Sequence, residues 1–446
     1  MDVATIKKNQ LNPHQWTVIG FAITILIGAF LLDLPIATVG DGSIRFLDAL
    51  FTATSAVCVT GLTVIDTGTN FTIFGQIIIM VLIQIGGLGF MTYGVIIAVI
   101  LGRKVGLKHR VFIQESTKSN TIQGLVRLVK TIVIISFSFE LIGAYLLWLR
   151  WIHEMGVGKA AYYAIFHSVS AFNNAGFSLF SDNLAGFVGD PIVNIIISLL
   201  FICGGLGFIV MVDIYKKRRW RRFSLHTKIV LLTTILLSAG GFLLILSLEM
   251  LNSSVFGDLS IGEKLWSAYF QSVTTRTAGF NTVQLSGLLT ASQFLIIFLM
   301  FIGASSGSTG GGIKTSTFMI LIVAMYSTIR GREQVHIFKR RISYDTILRS
   351  LAIIIISLGL VLIVAFMLTL TEKGDEFIEI LFEATSAFGT VGLTLDVTPT
   401  LSGAGKIIII ATMFAGRLGP LTLAYALARN KRSSKIGYPE EKVLVG

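Results

Sequence analysis

Four short segments of the chain share a residue pattern that could bind an ion through backbone oxygens. In each, an aromatic residue precedes a run rich in Ser, Thr and Ala, and then Gly with Leu or Phe: FTATSAVCVTGL (51–62), FHSVSAFNNAGF (166–177), FQSVTTRTAGF (270–280) and FEATSAFGTVGL (382–393). The glycines are Gly61, Gly176, Gly279 and Gly392, which recur at similar intervals. Four such segments predict four structural units around one axis, each contributing backbone to a shared site, as in an ion selectivity filter.

A glycine motif follows three of these segments at a similar distance. It reads GGLGF at 86–90, GGLGF at 204–208 and GRLGP at 416–420. Small residues within apolar helices allow either close helix packing or a wide cavity. The sequence leaves both interpretations open.

The third unit has a longer polar segment in place of this motif. Each Gly costs about 1 kcal/mol in a helix, and unpaired backbone is costly in hydrocarbon. The segment should therefore be unwound and face a pore cavity, where a polar loop could obstruct ions. A phosphate-binding P-loop is excluded, because Ile313 separates the last glycine from the lysine and no strand precedes the segment. The gate candidates in this segment are Gly303, Ser305, Ser306, Gly307, Ser308, Thr309, Gly310, Gly311, Gly312 and Lys314.

Arg417 takes the place of the second glycine of the motif in the fourth unit, about midway along an apolar helix. A buried arginine is costly unless it is paired, and within a membrane it marks a functional site by default. Its donors are expected to meet carbonyls of the 303–314 segment or a nearby acid, and its charge to repel cations in a closed pore. A structural clamp that holds the fourth unit is the alternative, and both roles are compatible.

Three weaker candidates lie close to the glycine segments or within a helix. Arg276 is expected to point behind the third segment and to pair with an acid of a neighbouring pore helix. Glu140 is interpreted as a buried partner for a basic residue. Asn173 and Asn174 could offer side-chain oxygens to an ion, but support of the second segment by hydrogen bonds is the favoured interpretation.

The composition is typical of a polytopic membrane protein. Of 446 residues, 53% are hydrophobic and only 13% are charged, against about 25% charged in soluble domains, and the mean hydropathy is +0.80. Several stretches exceed the roughly 18 apolar residues of a spanning helix. The first, at about 16–32, is expected to be a retained helix, because no cleavage pattern follows it.

The net charge of +12 is distributed in a way that indicates membrane topology and not nucleic-acid binding. Basic clusters at 7–8, 103–110, 216–228, 330–349 and 429–442 are assigned to the cytoplasm with both termini, and a docking role for them is an equal alternative to topology alone. An acidic outer vestibule would raise the local cation concentration. Its residues are Asp33, Asp41, Asp66, Asp182, Asp190, Asp258, Glu263, Glu372, Asp375, Glu376 and Asp396.

Each glycine segment lies between two apolar stretches, at about 16–32 and 74–101, 126–149 and 192–215, 229–248 and 294–326, and 347–370 and 406–428. The apolar run before each glycine is too short to cross, so it should enter the membrane as a half-helix and return as a strand. The predicted fold is an all-α membrane protein of four tandem helix–pore-loop–helix units with pseudo-fourfold symmetry, eight spanning helices and four re-entrant ones. The unit boundaries are 1–110, 111–222, 223–342 with the gate loop, and 343–446.

This fourfold arrangement of half-helix, glycine strand and second helix resembles the Trk/Ktr/HKT superfamily of potassium transporters over about 16–429, and within it the bacterial Ktr membrane subunits. The resemblance implies a channel-like fold in a bacterial cell membrane, a homodimer among membrane lipids, and a cytosolic regulatory ring that binds ATP or ADP. It also implies that potassium is the transported ion, that this chain carries no organic cofactor, and that the arginine at 417 is a barrier to cations.

The resemblance also implies which residues form the filter. The corresponding stretch of potassium channels is TVGYG; here only the glycine is common to the four units, which implies weaker selectivity. Relatives that admit sodium often have Ser at the first glycine, so Gly61 favours potassium, while sodium as activator or co-ion stays open. The residues are Val59, Thr60, Gly61, Asn174, Ala175, Gly176, Thr277, Ala278, Gly279, Thr390, Val391 and Gly392.

Two other classes of function fit the sequence less well than a pore. An alternating-access cation transporter is the alternative, but such folds usually show inverted repeats, whereas these four repeats share one orientation. A membrane enzyme is disfavoured, because the sequence has no metal-ligand spacing and no nucleophile–base set. Cys58 and Cys203, the only cysteines, are interpreted as small buried hydrophobes.

Overall fold

The computed structural model describes residues 13–40, 44–89, 122–250, 252–420 and 422–423. The predicted basic clusters at 7–8, 103–110 and 429–442, the acidic Asp41 and the end of the apolar stretch at 74–101 lie outside the described residues. The first unit contains α1 (Pro13–Leu32), α2 (Phe46–Cys58), α3 (Thr67–Asn70) and α4 (Ile73–Leu88). The second contains α5 (Ile122–Met155), α6 (Val157–Phe172), α7 (Pro191–Leu206) and α8 (Phe208–Lys217).

Each of the other two predicted units also begins with a long helix and then a short one. The third contains α9 (Leu225–Glu249), α10 (Ile261–Thr274), α11 (Thr290–Phe301) and α12 (Thr315–Ile329). A small antiparallel hairpin follows it, formed by β1 (His336–Ile337) and β2 (Arg340–Arg341). The fourth contains α13 (Tyr344–Thr371), α14 (Phe377–Gly389) and α15 (Gly403–Leu418). The protein is therefore all-helical in the described residues apart from this hairpin.

The first helix of each unit, α1, α5, α9 or α13, is long and apolar enough to cross a membrane. These are four candidate spans of the described residues, or five if α7 and α8 count as one span bent by 95°. Large apolar side chains on these helices are exposed, among them Leu141 and Phe366, and lipid would cover them. The protein is thus a multi-pass membrane protein, while eight spanning helices stay a prediction.

The helix before each glycine segment, α2, α6, α10 or α14, has 13 to 16 residues. At 1.5 Å per residue this is about 20–24 Å, which falls short of a hydrocarbon core of about 30 Å. Two of these helices begin with a capping box, Ser260 with Glu263 and Glu376 with Glu379, which fixes their first turn. Their other ends point toward the glycine segments.

The glycine motif ends helices, which the sequence did not indicate. Helices α4, α7 and α15 stop just before Gly89, Gly207 and Gly419, whose φ angles are 81°, 91° and 82°. L-residues rarely adopt this left-handed region, so the third glycine of the motif breaks each apolar stretch. The predicted apolar stretches at 192–215 and 406–428 are therefore interrupted, the first by a bend of 95° at 207 and the second by the left-handed Gly419.

In each unit the apolar helix after the glycine segment packs against the short helix before the glycine segment of the next unit. Helix α4 contacts α6, α7 contacts α10, α11 contacts α14, and α15 contacts α2. The last contact joins the fourth unit to the first, where Lys406 Nζ lies 2.6 Å from Asp48 Oδ1. The inter-unit contacts therefore run from each unit to the next and return to the start.

Candidate functional site

The four glycines of the repeated segments lie beside one another in a closed cycle. A Cβ added at Gly61 would lie 2.5 Å from the Ala175 carbonyl oxygen, and one at Gly279 would lie 2.5 Å from that of Val391. A Cβ at Gly176 would lie 2.8 Å from the Gly279 Cα. A Cβ at Gly392 would meet the carbonyl oxygen of Thr60, in the same segment as Gly61. A side chain at any of these glycines would thus collide with the backbone of the next unit.

The backbone of these segments has the same shape in all four units. The glycines have φ angles of 92°, 71°, 77° and 90°, and the residues two positions earlier are also left-handed. Such alternation of backbone conformation lets successive carbonyls turn to one side, which is the geometry of a carbonyl-lined ion site. The left-handed residues before the glycines are Val59, Asn174, Thr277 and Thr390, with φ of 57°, 60°, 67° and 50°.

A hydroxyl side chain supports each segment from behind, and sequence reasoning missed this. In the first and fourth units the glycine N–H donates to a serine: Gly61 to Ser55 and Gly392 to Ser386, both at 3.1 Å. In the other two units the hydroxyl donates to the carbonyl after the glycine: Ser170 to Phe177 at 2.8 Å and Thr274 to Phe280 at 2.6 Å. The available signal was a Ser or Thr four residues after each aromatic residue.

The 303–314 segment is unwound and lies directly against the left-handed residues of the glycine segments. A Cβ at Gly310 would meet the Thr277 hydroxyl, and one at Gly311 would meet that of Thr390. Thr309 donates from Oγ1 to the Asn174 side chain at 2.9 Å. The loop therefore contacts the glycine segments of the second, third and fourth units.

Backbone contacts fix the first half of this loop to the end of α7. Ser305 donates its N–H to the Gly205 carbonyl at 3.0 Å and its hydroxyl to that of Leu206 at 2.5 Å. Thr309 N–H donates to the Gly204 carbonyl at 3.3 Å. The Gly307 carbonyl accepts from the first residue of α8 at 3.1 Å. The loop thus occupies the gap that opens where α7 breaks.

Side chains of the loop close it on itself. Ser308 donates to the Ser305 carbonyl at 2.7 Å, and Ser306 lies 3.3 Å from the Ser316 hydroxyl at the start of α12. Lys314 Nζ donates to the carbonyls of Gly310 at 2.7 Å and Gly311 at 3.2 Å.

The two ends of the loop lie together. Gly303 faces the Gly311 carbonyl, and Gly312 is left-handed with φ of 66°. A parallel bridge pairs Ile302 with Ile313. The lysine charge is therefore held by carbonyls in the middle of the loop, next to the glycine segments.

Arg417 joins the loop to the first unit. From α15 its guanidinium donates to the Thr309 carbonyl in the loop and to the Gly86 carbonyl in α4. Three elements from the first, third and fourth units thus meet at one side chain. Arg417 places a positive charge beside the loop and also connects the loop to α4 by two hydrogen bonds. The arrangement is therefore compatible with both interpretations, a barrier to cations and a structural clamp.

The first glycine of each motif allows close packing and does not widen a cavity. Gly86, Gly204 and Gly416 each face a backbone carbonyl at the end of the short helix in their own unit, and none has room for a Cβ. The carbonyls are those of Val57, Phe172 and Phe388, respectively. Backbone lies directly on backbone at these three places. Helices α4, α7 and α15 are thereby held against the ends of α2, α6 and α14, where the glycine segments begin.

Two of the expected pairings differ from the structure. Arg276 is 8% exposed and makes no ion pair or side-chain hydrogen bond with a described residue; it lines a cavity with Thr234 and Ser238. Glu140 accepts from Gln84 at 3.2 Å and from Asn173 at 3.0 Å, and no described basic residue pairs with it. Asn173 supports its segment by hydrogen bonds, as the sequence favoured. Both charged residues lie behind the segments, where the neighbouring helices offer amides and hydroxyls.

The described residues contain no group of three His, Cys, Asp or Glu side chains placed to hold a metal ion. Both cysteines are unpaired there; Cys58 is buried and Cys203 is half-buried. The polar groups that the structure places at the site are backbone oxygens, hydroxyls, the Asn174 amide and the side chains of Lys314 and Arg417.

These features define a class: a helical membrane transport protein with glycine segments of four units around one site and an intramembrane loop against it. The profile of the TrkH family, described as cation transport protein, matches residues 18–436. The chain belongs to this family.

Proteins similar to this chain have transport functions in their names. Ktr system potassium uptake protein B of Bacillus subtilis is 48% identical over 99% of this chain and 98% of its own length. Potassium/sodium uptake protein NtpJ of Enterococcus hirae is 39% identical over 98% of each. The crystal structure of the potassium transporter TrkH from Vibrio parahaemolyticus matches with a TM-score of 0.75 at 20% identity, over 95% of this chain and 86% of that one. The last comparison shows a shared fold.

Proposed function

We propose that this protein takes up potassium across the bacterial cell membrane through a single pore. The observation that carries the proposal is the closed cycle of four left-handed glycines, each against the backbone of the next unit. Carbonyl oxygens can replace the hydration shell of an ion in such a site without catalytic chemistry. The names of the relatives from Bacillus subtilis and Enterococcus hirae favour potassium as the ion.

In this proposal the carbonyls of the twelve predicted filter residues face the ion. The glycine of each unit, Gly61, Gly176, Gly279 or Gly392, is the narrowest point. The cycle of contacts between units supports pseudo-fourfold symmetry. The short helices α2, α6, α10 and α14 are the re-entrant ones, and their C-terminal ends, the negative end of the helix dipole, favour a cation.

The 303–314 loop is the proposed gate. It lies against three of the four filter segments, and Arg417 and Lys314 place two positive charges beside it. A cation that leaves the filter toward this loop is blocked by the loop and is repelled by the positive charges of Lys314 and Arg417. Opening requires the loop to leave the end of α7 and Arg417 to release the Thr309 carbonyl.

The topology follows the charge distribution. Both termini and the basic clusters lie in the cytoplasm, so the acidic residues lie at the outer entrance. The four units of this topology are those predicted at 1–110, 111–222, 223–342 and 343–446. A homodimer and a cytosolic nucleotide-binding ring are part of the proposal. The name of the Bacillus subtilis relative, a Ktr system protein B, supports a second component of the system. The name of the Enterococcus hirae relative includes sodium, so sodium is retained in the proposal as a second transported ion.

The direct test is potassium-limited growth of a bacterium that lacks its own uptake systems, with and without a co-expressed ring subunit. We expect growth at low potassium and uptake of Rb⁺ by membrane vesicles, with Na⁺ taken up much more slowly. Absence of both growth and Rb⁺ uptake, with the protein present in the membrane, would contradict the proposal. Uptake that requires a counter-moving ion would favour alternating access instead.

A further inference from the structure

Glu383 lies in α14, one residue after the aromatic residue that all four glycine segments share, and it is fully buried. It stands directly behind the fourth glycine segment. The same position is Thr52, His167 and Gln271 in the other three units. A carboxyl group buried this deeply is costly unless hydrogen bonds satisfy it, so its partners indicate what it does.

Both carboxyl oxygens of Glu383 accept hydrogen bonds from the segment that follows Gly392. Thr394 donates to Oε2 at 2.8 Å, and Thr398 donates to Oε1. Thr398 also donates its N–H to the Thr394 hydroxyl at 3.4 Å. No described lysine or arginine forms an ion pair with the carboxyl group. The Glu383 side chain thus connects the outer end of the fourth filter segment to α14, the short helix that precedes it.

His167 makes the matching connection in the second unit. Its Nε2 lies 3.1 Å from the Ser178 hydroxyl and accepts from the Leu179 N–H at 3.3 Å, while Nδ1 donates to the Tyr163 carbonyl at 2.7 Å. Ser178 and Thr394 occupy equivalent positions, two residues after the glycine. The second and fourth units face each other across the cycle.

Among the described residues, the first and third units have no such connection. Thr52 donates to the Asp48 carbonyl within its own helix, and neither amide atom of the buried Gln271 has a partner among the described residues. The restraint on the outer filter is therefore twofold and not fourfold, because it comes from one opposite pair of units.

We infer that Glu383 is a positioning residue for cation discrimination, which fixes the outer carbonyls of the fourth filter segment through Thr394 and Thr398, with His167 doing the same in the opposite unit. This inference rests on the proposed filter function. Without the carboxyl group the segment loses both of these side-chain hydrogen bonds and keeps the one from the Gly392 N–H to Ser386, so its carbonyls can move to fit a smaller cation. Discrimination between potassium and sodium then falls while the pore still conducts.

The test compares Rb⁺ and Na⁺ uptake of Glu383→Ala, Glu383→Gln and Thr394→Val in vesicles with equal amounts of protein. For Glu383→Ala we expect a KM for Rb⁺ raised about tenfold and a fall of similar size in the Rb⁺/Na⁺ uptake ratio. Glu383→Gln keeps one acceptor oxygen and should lie between Ala and wild type. The double variant Glu383→Ala/Thr394→Val should be no worse than Glu383→Ala alone, because the single variant already removes the hydrogen bond between Thr394 and the carboxyl group.

Gln271→Leu is the matched control, since it changes the same helix position in a unit without the connection and should shift neither quantity by more than about twofold. If Glu383→Ala does not reach the membrane, Thr394→Val and Thr398→Val decide the question, because they remove the donors and leave the carboxyl group in place. Unchanged KM and uptake ratio in a well-expressed variant, or an equal effect of Gln271→Leu, would overturn the inference. Absence of Rb⁺ uptake by the wild-type protein would instead overturn the proposed function.

Discussion

Replacement of Gly61 by Ser is expected to reduce the preference for K⁺ over Na⁺ at least about tenfold, equivalent to about 1.4 kcal/mol. The new Cβ would lie 2.5 Å from the Ala175 carbonyl oxygen, closer than atoms pack, and Gly61 has a φ of 92° that Ser adopts with strain. The carbonyl of the neighbouring unit must therefore move away from its place at the ion. Competition of Na⁺ with Rb⁺ for uptake measures the change.

Gly374→Ser is the control for backbone strain alone. Gly374 has a φ of 113° but lies in the connection between α13 and α14 with no atom within 4 Å of an added Cβ. This variant should keep the wild-type ion preference. An unchanged preference in Gly61→Ser, or the same loss in Gly374→Ser, would show that contact between the glycine segments does not determine which ion is taken.

Arg417→Gln is expected to raise K⁺ flux through the closed protein about ten- to a hundredfold. Each hydrogen bond from a charged group is worth roughly 1.5–3 kcal/mol, and this side chain bonds the loop at Thr309 and α4 at Gly86. Its removal frees the loop and also removes a positive charge from the ion path. Passive K⁺ leak from loaded vesicles, without a gradient of other ions, measures the effect.

Two further arginine variants separate the possible causes. Arg417→Lys keeps the charge but not the fork, so a leak as large as that of Arg417→Gln would assign the effect to the clamp, and a tight pore would assign it to charge. Arg150→Gln removes an arginine from ion pairs with Glu154 and Asp190 at the end of α5 and should not leak. A fall in flux of Arg417→Gln at normal protein levels would contradict the barrier role.

The sequence predicted the parts of the molecule in which residue type alone limits the conformation. The 303–314 segment has too many glycines for a helix in lipid, and it is indeed unwound. Helices α2, α6, α10 and α14 were predicted as short because their apolar runs are short. The placement of Arg417 next to the loop followed from the cost of an unpaired charge in an apolar helix.

Other features depend on direction and on distant contacts, which residue type does not specify. The glycine motif was interpreted through packing, and packing explains Gly86, Gly204 and Gly416. The helix break at Gly207 requires a left-handed φ, and the residue types of the motif do not show which of its glycines adopts it. Arg276 lies within the one glycine segment that has one residue fewer between its aromatic residue and its glycine than the other three have. Its side chain lines a cavity that contains no described acidic residue. The contact of α15 with α2 joins residues 358 positions apart.

The most direct test of the central claim is the location of the ion. Crystals grown in Rb⁺ should give an anomalous peak on the axis enclosed by the carbonyls of Thr60, Ala175, Ala278 and Val391. The peak should weaken when K⁺ is added in excess but not when Na⁺ is added. An Rb⁺ peak elsewhere in the membrane region, with none inside the cycle of four glycines, would contradict the assignment of these segments as the filter.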